Sequence, residues 1–275
     1  MPADPFFQRG YAPINGLSMY FEIRGQGRPL ILLNGGFGLV EQWGELAAQL
    51  AATRQVIALE FQGHGRTADV DRPFSFEQFA DDVAGLMDYL GFASADVLGY
   101  SLGGLVAIQT ALRHPQRVRK LIVVSAPYHE YGWYDSEREG IRQVTGEALL
   151  GSPMHAAYAQ VAPDPERFGI LAEKTRDLLL SGFNWTIDLT TLAIPVLIVA
   201  GDADNMPLAH PLTFFALFGG GISNTGAGER SPAQLAIVPG THHYVILTRV
   251  AILVPAITSF LGPDDTARAS VRVAT

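Results

Sequence analysis

Residues 95 to 112 constrain the fold more than any other stretch of the chain. The apolar run Ala95-Asp96-Val97-Leu98 leads into Gly99-Tyr100-Ser101-Leu102-Gly103, and a second apolar stretch, rich in Ala and Leu, runs from Leu102 to Leu112. That order reads as strand, tight turn, helix. The flanking Gly residues leave room where the chain folds back on itself. A Ser at the tip of such a turn is lifted off the sheet with its hydroxyl exposed.

The same alternation recurs along most of the sequence, which predicts a mainly parallel sheet covered by helices on both faces. Ser18 to Arg24 alternates and reads as an early antiparallel strand, turned by Gly25-Gln26-Gly27. Leu30 to Leu33, Gln55 to Leu59, Leu121 to Val124, Pro195 to Ala200 and Leu235 to Val238 are short apolar runs of the kind buried strands carry. Between Gln55 to Leu59 and the Ser101 turn, Ser75 and Gln78 form a capping box. Phe76, Phe79, Val83, Leu86 and Leu90 then repeat at three- and four-residue steps, and Gly91 closes that helix. Pro115 marks the end of the helix after Ser101, and a last helix runs from Val250 to Leu261.

From Pro127 to Asp188 the pattern breaks. No strand is evident, Tyr, Trp, Glu and Arg are frequent, and the helical pieces are short, Phe168 to Leu180 among them. The stretch reads as a helical lid inserted between two sheet strands, giving a core of residues 1–126 and 189–275 and a cap of residues 127–188. Gly219 to Arg230 reads as a mobile loop. No Lys-Ser/Thr follows it, so it lacks the form of a phosphate-cradling loop. The polar tail from Gly262 reads as loose.

Composition removes several function classes. The 275 residues carry a formal net charge of −8 and no basic run, which speaks against nucleic acid as a partner. There is no Cys, which excludes disulfides, a thiol nucleophile and thiolate metal sites. The start, Met1-Pro2-Ala3-Asp4-Pro5, lacks a basic segment followed by an apolar one, so neither a signal peptide nor a membrane span is expected, and a cytoplasmic location is the default.

Ser is a weak nucleophile until a His takes its proton, and the His needs an acid to fix its tautomer and stabilise its charged form. Two later segments supply such groups. Val199-Ala200-Gly201-Asp202-Ala203-Asp204 leaves a strand at its carboxyl end, where sites of α/β sheets form, and offers two carboxylates. Val238-Pro239-Gly240-Thr241-His242-His243 follows the last strand and offers two imidazoles. The other histidines read differently. His64 lies in a Gly-flanked loop and is expected to pack it. His114, at a helix end, is expected to cap carbonyls or meet water. His129, His155 and His210 show no paired ligand spacing, so no metal is expected. For an oxyanion, one donor is the backbone N–H of Leu102, and the other comes from the loop after the Leu30 to Leu33 strand, where Gly35 and Gly36 let backbone approach a substrate.

Together these pieces resemble the α/β-hydrolase superfamily, in its lidded group of esterases, C–C hydrolases and cofactor-free haloperoxidases. The resemblance spans residues 11 to 262. It rests on Leu33-Asn34-Gly35-Gly36, Gly63-His64-Gly65-Arg66, the Ser101 turn, the Asp204 turn and the Pro239-Gly240…His243 ending, in the order Ser, acid, His. It implies an α/β-hydrolase fold with a mostly parallel eight-stranded sheet flanked by helices and a helical cap after the sixth strand. It also implies a triad of Ser101, Asp204 and His243, with Asp202 shaping its turn and His242 facing pocket or solvent. The second oxyanion donor is then the N–H of Gly36 or Phe37, Gly36 being favoured. One departure is Asn34, where the family usually carries His. Phe37, Tyr100, Tyr128, Tyr131 and Trp133 lie beside these segments or at the start of the lid and suggest an apolar substrate pocket. The expected activity is hydrolysis of a small-molecule ester or lactone, with no cofactor. C–C bond hydrolysis, amide hydrolysis, perhydrolysis and ligand binding without turnover are the alternatives. Haloalkane dehalogenation is disfavoured because it uses Asp at the nucleophile position.

Overall fold

The computed structural model describes residues 6–222 and 232–263. The first five residues, most of the Gly-rich run expected to be mobile and the expected loose tail beyond residue 263 lie outside the described residues.

One sheet of eight strands runs through the described chain: β1 (Gln8–Ile14), β2 (Leu17–Arg24), β3 (Pro29–Leu33), β4 (Gln55–Leu59), β5 (Ala95–Tyr100), β6 (Val118–Val124), β7 (Val196–Ala203) and β8 (Ala233–His242), in the spatial order β1-β2-β4-β3-β5-β6-β7-β8. β1 pairs with β2 and β2 with β4 antiparallel; every later pairing is parallel. The first strand is a feature the sequence reading missed. Gly10 and Pro13 interrupt its apolar pattern, and only an edge strand tolerates a Pro that cannot donate to the ladder. Its cue lies in the turn: Asn15 and Gly16 both take positive φ, 47° and 84°, as a two-residue hairpin requires.

The side-chain period of two splits each central strand between two cores. Ile31 and Leu33 face one hydrophobic cluster with α2 (Phe76–Tyr89) and α3 (Leu102–Arg113). Leu30 and Leu32 face the other, with α1 (Gly44–Leu50) and α10 (Val250–Leu261). β5 is buried along its whole length, Asp96 included, whose carboxylate pairs with Arg119. α2 starts as expected, with the Ser75 side chain accepting from the Gln78 N–H at 3.0 Å. The Gln78 side chain points to Asp82 instead, at 3.1 Å.

Between β6 and β7 lies an insertion of short helices: α4 (Asp135–Arg142), α5 (Gly146–Leu149), α6 (Pro153–Val161), α7 (Phe168–Leu179) and α8 (Thr186–Leu189). α9 (Ala209–Leu217) follows β7. The longest insert helix, α7, is fastened to the core by charge. Asp69, in the loop after β4, accepts from Arg167 at 2.8 Å and from Lys174 at 2.9 Å. Burial opposes the charge on Asp69, but the hydrogen bonds from Gln62, Lys174 and Arg167 outweigh it and hold its carboxyl below the usual range. No helix among the described residues is long and apolar enough to cross a membrane.

Two histidines make the fold sensitive to acid. His64 is fully buried among Phe61, Phe74 and Phe79, with Nδ1 at 3.0 Å from the Gln62 carbonyl, and burial pushes it down to about 4. His210 stacks on Tyr128 with ring centroids 4.4 Å apart, and burial with some repulsion from His129 pushes it down to about 3. Both stay neutral in the fold, whereas a His in the unfolded chain takes a proton near pH 6.5. The unfolded state therefore binds more protons below that pH, and stability falls as the solution is acidified. Glu60 works the other way: burial, against the pull of Arg66, pushes it up to about 7, so the fold binds its proton first. Burial pushes His129 down as well, and raises Asp82 and Asp96 as it raises Glu60; the buried imidazoles are expected to dominate between pH 6 and pH 5, so stability falls across that range. Thermal melts across that range check it. A flat or rising Tm contradicts the neutral burial of these imidazoles.

Candidate active site

Ser101 sits between the end of β5 and the start of α3, at φ 54° and ψ −122°, a backbone conformation that an L-residue adopts only when its surroundings enforce it. The enforcement is visible. Its N–H donates to the Val124 carbonyl at 2.9 Å, and its own carbonyl accepts from Gly104 at 2.8 Å and Leu105 at 3.2 Å. The side chain is thereby aimed off the carboxyl edge of the sheet.

β7 and β8 end on the same edge and deliver the other two groups. His243 Nε2 lies 3.0 Å from Ser101 Oγ, and His243 Nδ1 lies 3.0 Å from Asp204 Oδ1. Asp204 is buried, which opposes its charge. The His243 hydrogen bond and charge, the Ser125 hydroxyl and the Gly201 N–H outweigh that cost, so its carboxyl lies below the usual range. An ionised carboxylate only accepts. Nδ1 of His243 therefore carries the proton, and Nε2 is left to accept from the Ser101 hydroxyl.

The neighbouring candidates are placed elsewhere. Asp202 is exposed and accepts from the N–H groups of Gly240 at 2.9 Å and Thr241 at 3.0 Å, tying the end of β8 to the end of β7. His242 is exposed. His114, expected to cap carbonyls or meet water, is partly exposed, and its Nε2 lies 2.8 Å from Asp81, a carboxylate on α2. No cluster of three or more metal-binding side chains occurs among the described residues.

One site residue was missed in the sequence. Ser125, directly after β6, is buried and holds φ 52°, and its hydroxyl donates to Asp204 Oδ2 at 2.5 Å. With the Gly201 N–H at 3.0 Å on the same oxygen and Asn205 at 2.9 Å on the other, the acid is held at four points. The available signal was position: Ser125 is the first polar residue beyond a strand at the edge where the triad candidates gather.

The loop after β3 lies against the nucleophile. A Cβ on Gly35 would come within 3.3 Å of Ser101 Cβ, so Gly there permits the approach. Gly38 N–H donates to the Gly35 carbonyl at 3.0 Å, closing a turn with Gly36 and Phe37 at its centre and Phe37 at φ 62°. Asn34 is buried beneath. Its amide donates to the Leu59 carbonyl at 3.2 Å, and its oxygen accepts from the Trp43 indole N–H, so it anchors the loop between β4 and α1. Leu102 opens α3 beside this turn.

The five aromatic residues divide. Phe37 is half-buried, with its ring 5.9 Å from Phe168 of α7. Tyr100 packs behind His243 at 5.2 Å, and its hydroxyl donates to the His243 carbonyl at 3.0 Å. Tyr128 stacks on His210, and Trp133 meets Phe183 edge-on at 5.6 Å; both are buried at the base of the insertion. Tyr131 is 72% exposed, and its ring lies under Arg138.

A family model described as alpha/beta hydrolase fold matches residues 28–137. A pimeloyl-[acyl-carrier protein] methyl ester esterase of Neisseria meningitidis is 41% identical over 196 aligned residues, which cover 60% of this chain and 73% of that protein. A dihydrolipoyllysine-residue acetyltransferase component of an acetoin cleaving system from Pseudomonas putida is 36% identical over 111 residues, covering 40% of this chain and 30% of the relative. The chain spans less than half the length of the first relatives it matches. Among solved structures, the enol-lactonase of Burkholderia xenovorans LB400 superposes with a TM-score of 0.70 at 19% identity, covering 91% of this chain and 99% of that one. At that identity the likeness is one of fold.

Proposed function

The chain belongs to the α/β-hydrolase superfamily, and from that premise we propose that it is a serine hydrolase acting on a small, neutral carboxylic ester or lactone. The observation that carries this reading is the unbroken relay from Ser101 Oγ to His243 to Asp204, with both steps at 3.0 Å. His243 takes the hydroxyl proton as Ser101 attacks the carbonyl carbon. The N–H groups of Leu102 and Gly36 hold the oxyanion. His243 then gives its proton to the leaving alcohol, and the same imidazole activates the water that releases the acid. Asp204 keeps the ring oriented and stabilises its charged form. Residues 127–188 act as the cap over this centre.

The substrate's neutrality follows from charge on the cap. It carries five cations, and each is engaged: Arg138 with Glu130, Arg142 with Glu139, Arg167 and Lys174 with Asp69, Arg176 with Asp177. Its carboxylates outnumber them ten to five. A substrate with a free carboxylate, or one delivered on an acidic carrier protein, finds no unengaged cation there. The buried face of α7 offers Phe168, Leu171 and Leu178, which suit an alkyl chain.

Wild type is expected to hydrolyse methyl hexanoate with a kcat/KM about tenfold or more above that for monomethyl adipate, which differs by a terminal carboxylate. Steady-state rates on the two, beside hexanamide and a 1,3-diketone, test the reading. Preference for the acid-tailed ester overturns the charge argument. Cleavage of amide or diketone with no ester turnover overturns the reaction class.

A further inference from the structure

Thr175 has a buried side chain that the fold does not explain. It lies on α7, is 1% exposed, and its hydroxyl has no hydrogen-bond partner among the described residues. A buried hydroxyl without a partner is a net cost to folding. Helical Thr normally avoids that cost by donating to the carbonyl four residues back. This chain shows that habit three times: Thr110 donates to Val106 at 2.7 Å, Thr213 to Ala209 at 2.9 Å and Thr258 to Val254 at 2.7 Å. Thr175 makes no such bond to Leu171. Its rotamer leaves the hydroxyl unspent in a helix that offers it an acceptor.

Its place in the molecule matters as much as its state. Phe168, Leu171, Ala172, Thr175 and Leu178 form the buried face of α7, and Thr175 is the single polar member. The side chain sits directly against the oxyanion loop: a Cβ added to Gly36 would lie 3.3 Å from Thr175 Cγ2 and 3.9 Å from the side chain of Leu102. Those two residues are the oxyanion donors in the reading above. A Cβ added to Gly35, one residue earlier, would lie 3.3 Å from Ser101 Cβ. Asp69 pairs with Lys174, next to Thr175 on α7, and with Arg167, just before that helix begins.

We propose that Thr175 is a substrate-recognition residue, whose hydroxyl pairs with an oxygen carried on the acyl chain close to the scissile carbonyl. The substrate class narrows accordingly, from a plain alkyl ester to a hydroxy- or oxo-substituted ester, or a lactone bearing such a group. The physical logic is that of any site built to hydrogen-bond: an analogue lacking the oxygen leaves the site's own polar group unpaired and is rejected for that reason. An all-apolar α7 face would be the more stable choice, so the cost of the hydroxyl belongs to function rather than to folding. This inference rests on the serine-hydrolase reading of Ser101 and uses no other part of it.

The test compares wild type, Thr175→Val and Thr175→Ser on methyl hexanoate and on its 2-hydroxy, 3-hydroxy and 3-oxo derivatives. Val keeps the shape and removes the hydroxyl; Ser keeps the hydroxyl and removes the methyl. Wild type is expected to favour at least one oxygenated ester. Thr175→Val should shrink the ratio of kcat/KM on that ester to kcat/KM on methyl hexanoate about tenfold or more. Thr175→Ser should retain the preference. The Tm of Thr175→Val should equal or exceed that of wild type, since an unpaired buried hydroxyl is removed. Equal losses on all four esters, no loss on any, or no oxygenated preference in wild type overturns the inference and leaves the hydrolase reading standing. Failure of wild type on every ester overturns both.

Discussion

Replacing Ser101 by Ala is expected to lower kcat on any accepted ester by about 10⁵-fold while leaving the melting temperature within about 2 °C of wild type. The loss is large because no other hydroxyl stands at the tip of the turn: His243 Nε2 faces Ser101 Oγ at 3.0 Å, and without it the base activates only water. The fold is spared because Ala keeps the Cβ. The strained backbone at φ 54° is equally hard for either residue, and its N–H bond to Val124 does not involve the side chain. His243→Ala should fall by a similar factor, and the double variant should be no worse than either single one, since the two groups act as a unit. Steady-state rates paired with thermal melts check the pattern. A Ser101→Ala enzyme that keeps even a tenth of wild-type kcat contradicts it.

The second large effect is on folding. Gly99→Ala and Gly103→Ala are each expected to destabilise by about 4 kcal/mol or more, enough to deplete soluble folded protein. A Cβ on Gly99 would stand 2.0 Å from the Gly103 carbonyl oxygen, and a Cβ on Gly103 would stand 2.0 Å from the Leu33 carbonyl oxygen. These obstacles are backbone atoms of β3 and α3, which no rotamer change moves aside. The strand must part from the helix, and the sheet from its neighbour. Gly140 in α4 is the control: nothing lies within 4 Å of its added Cβ, so Gly140→Ala should stabilise by roughly 0.5–1 kcal/mol through helix propensity. Denaturant titration of the three variants separates the cases. A Gly103→Ala protein as stable as wild type would contradict the strand-turn-helix geometry described above.

How far the sequence disclosed this depends on whether a feature is local. The Ser101 turn was legible because its constraint lies within five residues: Gly at each flank, apolar runs before and after. The central strands were legible because burial on both faces makes them largely apolar, as β3 shows with Leu30-Ile31-Leu32-Leu33. β1 was not, since an edge strand exposed on one side has no such uniformity. The choices between Asp202 and Asp204, and between His242 and His243, were open to local reasoning because both members of each pair leave the same strand end. They separate in space, where Asp202 serves the backbone of β8 and His242 is exposed. Long-range pairings could not be read locally: position can mark a residue such as Ser125, but not its partner. Ser125 meets Asp204 across 79 positions, Asp69 meets Arg167 across 98, and the α7 face reaches Gly36 from the far side of the insertion. Adjacency in sequence likewise does not place the aromatic residues at the start of the insertion: Tyr131 is exposed, with Arg138 over its ring.

Ser101 is expected to form a covalent acyl intermediate, with the proton handled by His243. Rapid mixing with a p-nitrophenyl ester, acid quench and mass analysis of the Ser101 peptide tests it most directly. A burst of nitrophenol approaching one equivalent is expected whenever deacylation is the slower step, with the acyl mass on the Ser101 peptide of wild type and none on Ser101→Ala. Steady turnover with the Ser101 peptide unmodified at every quench time, retained in Ser101→Ala, would contradict it and place the chemistry on another residue.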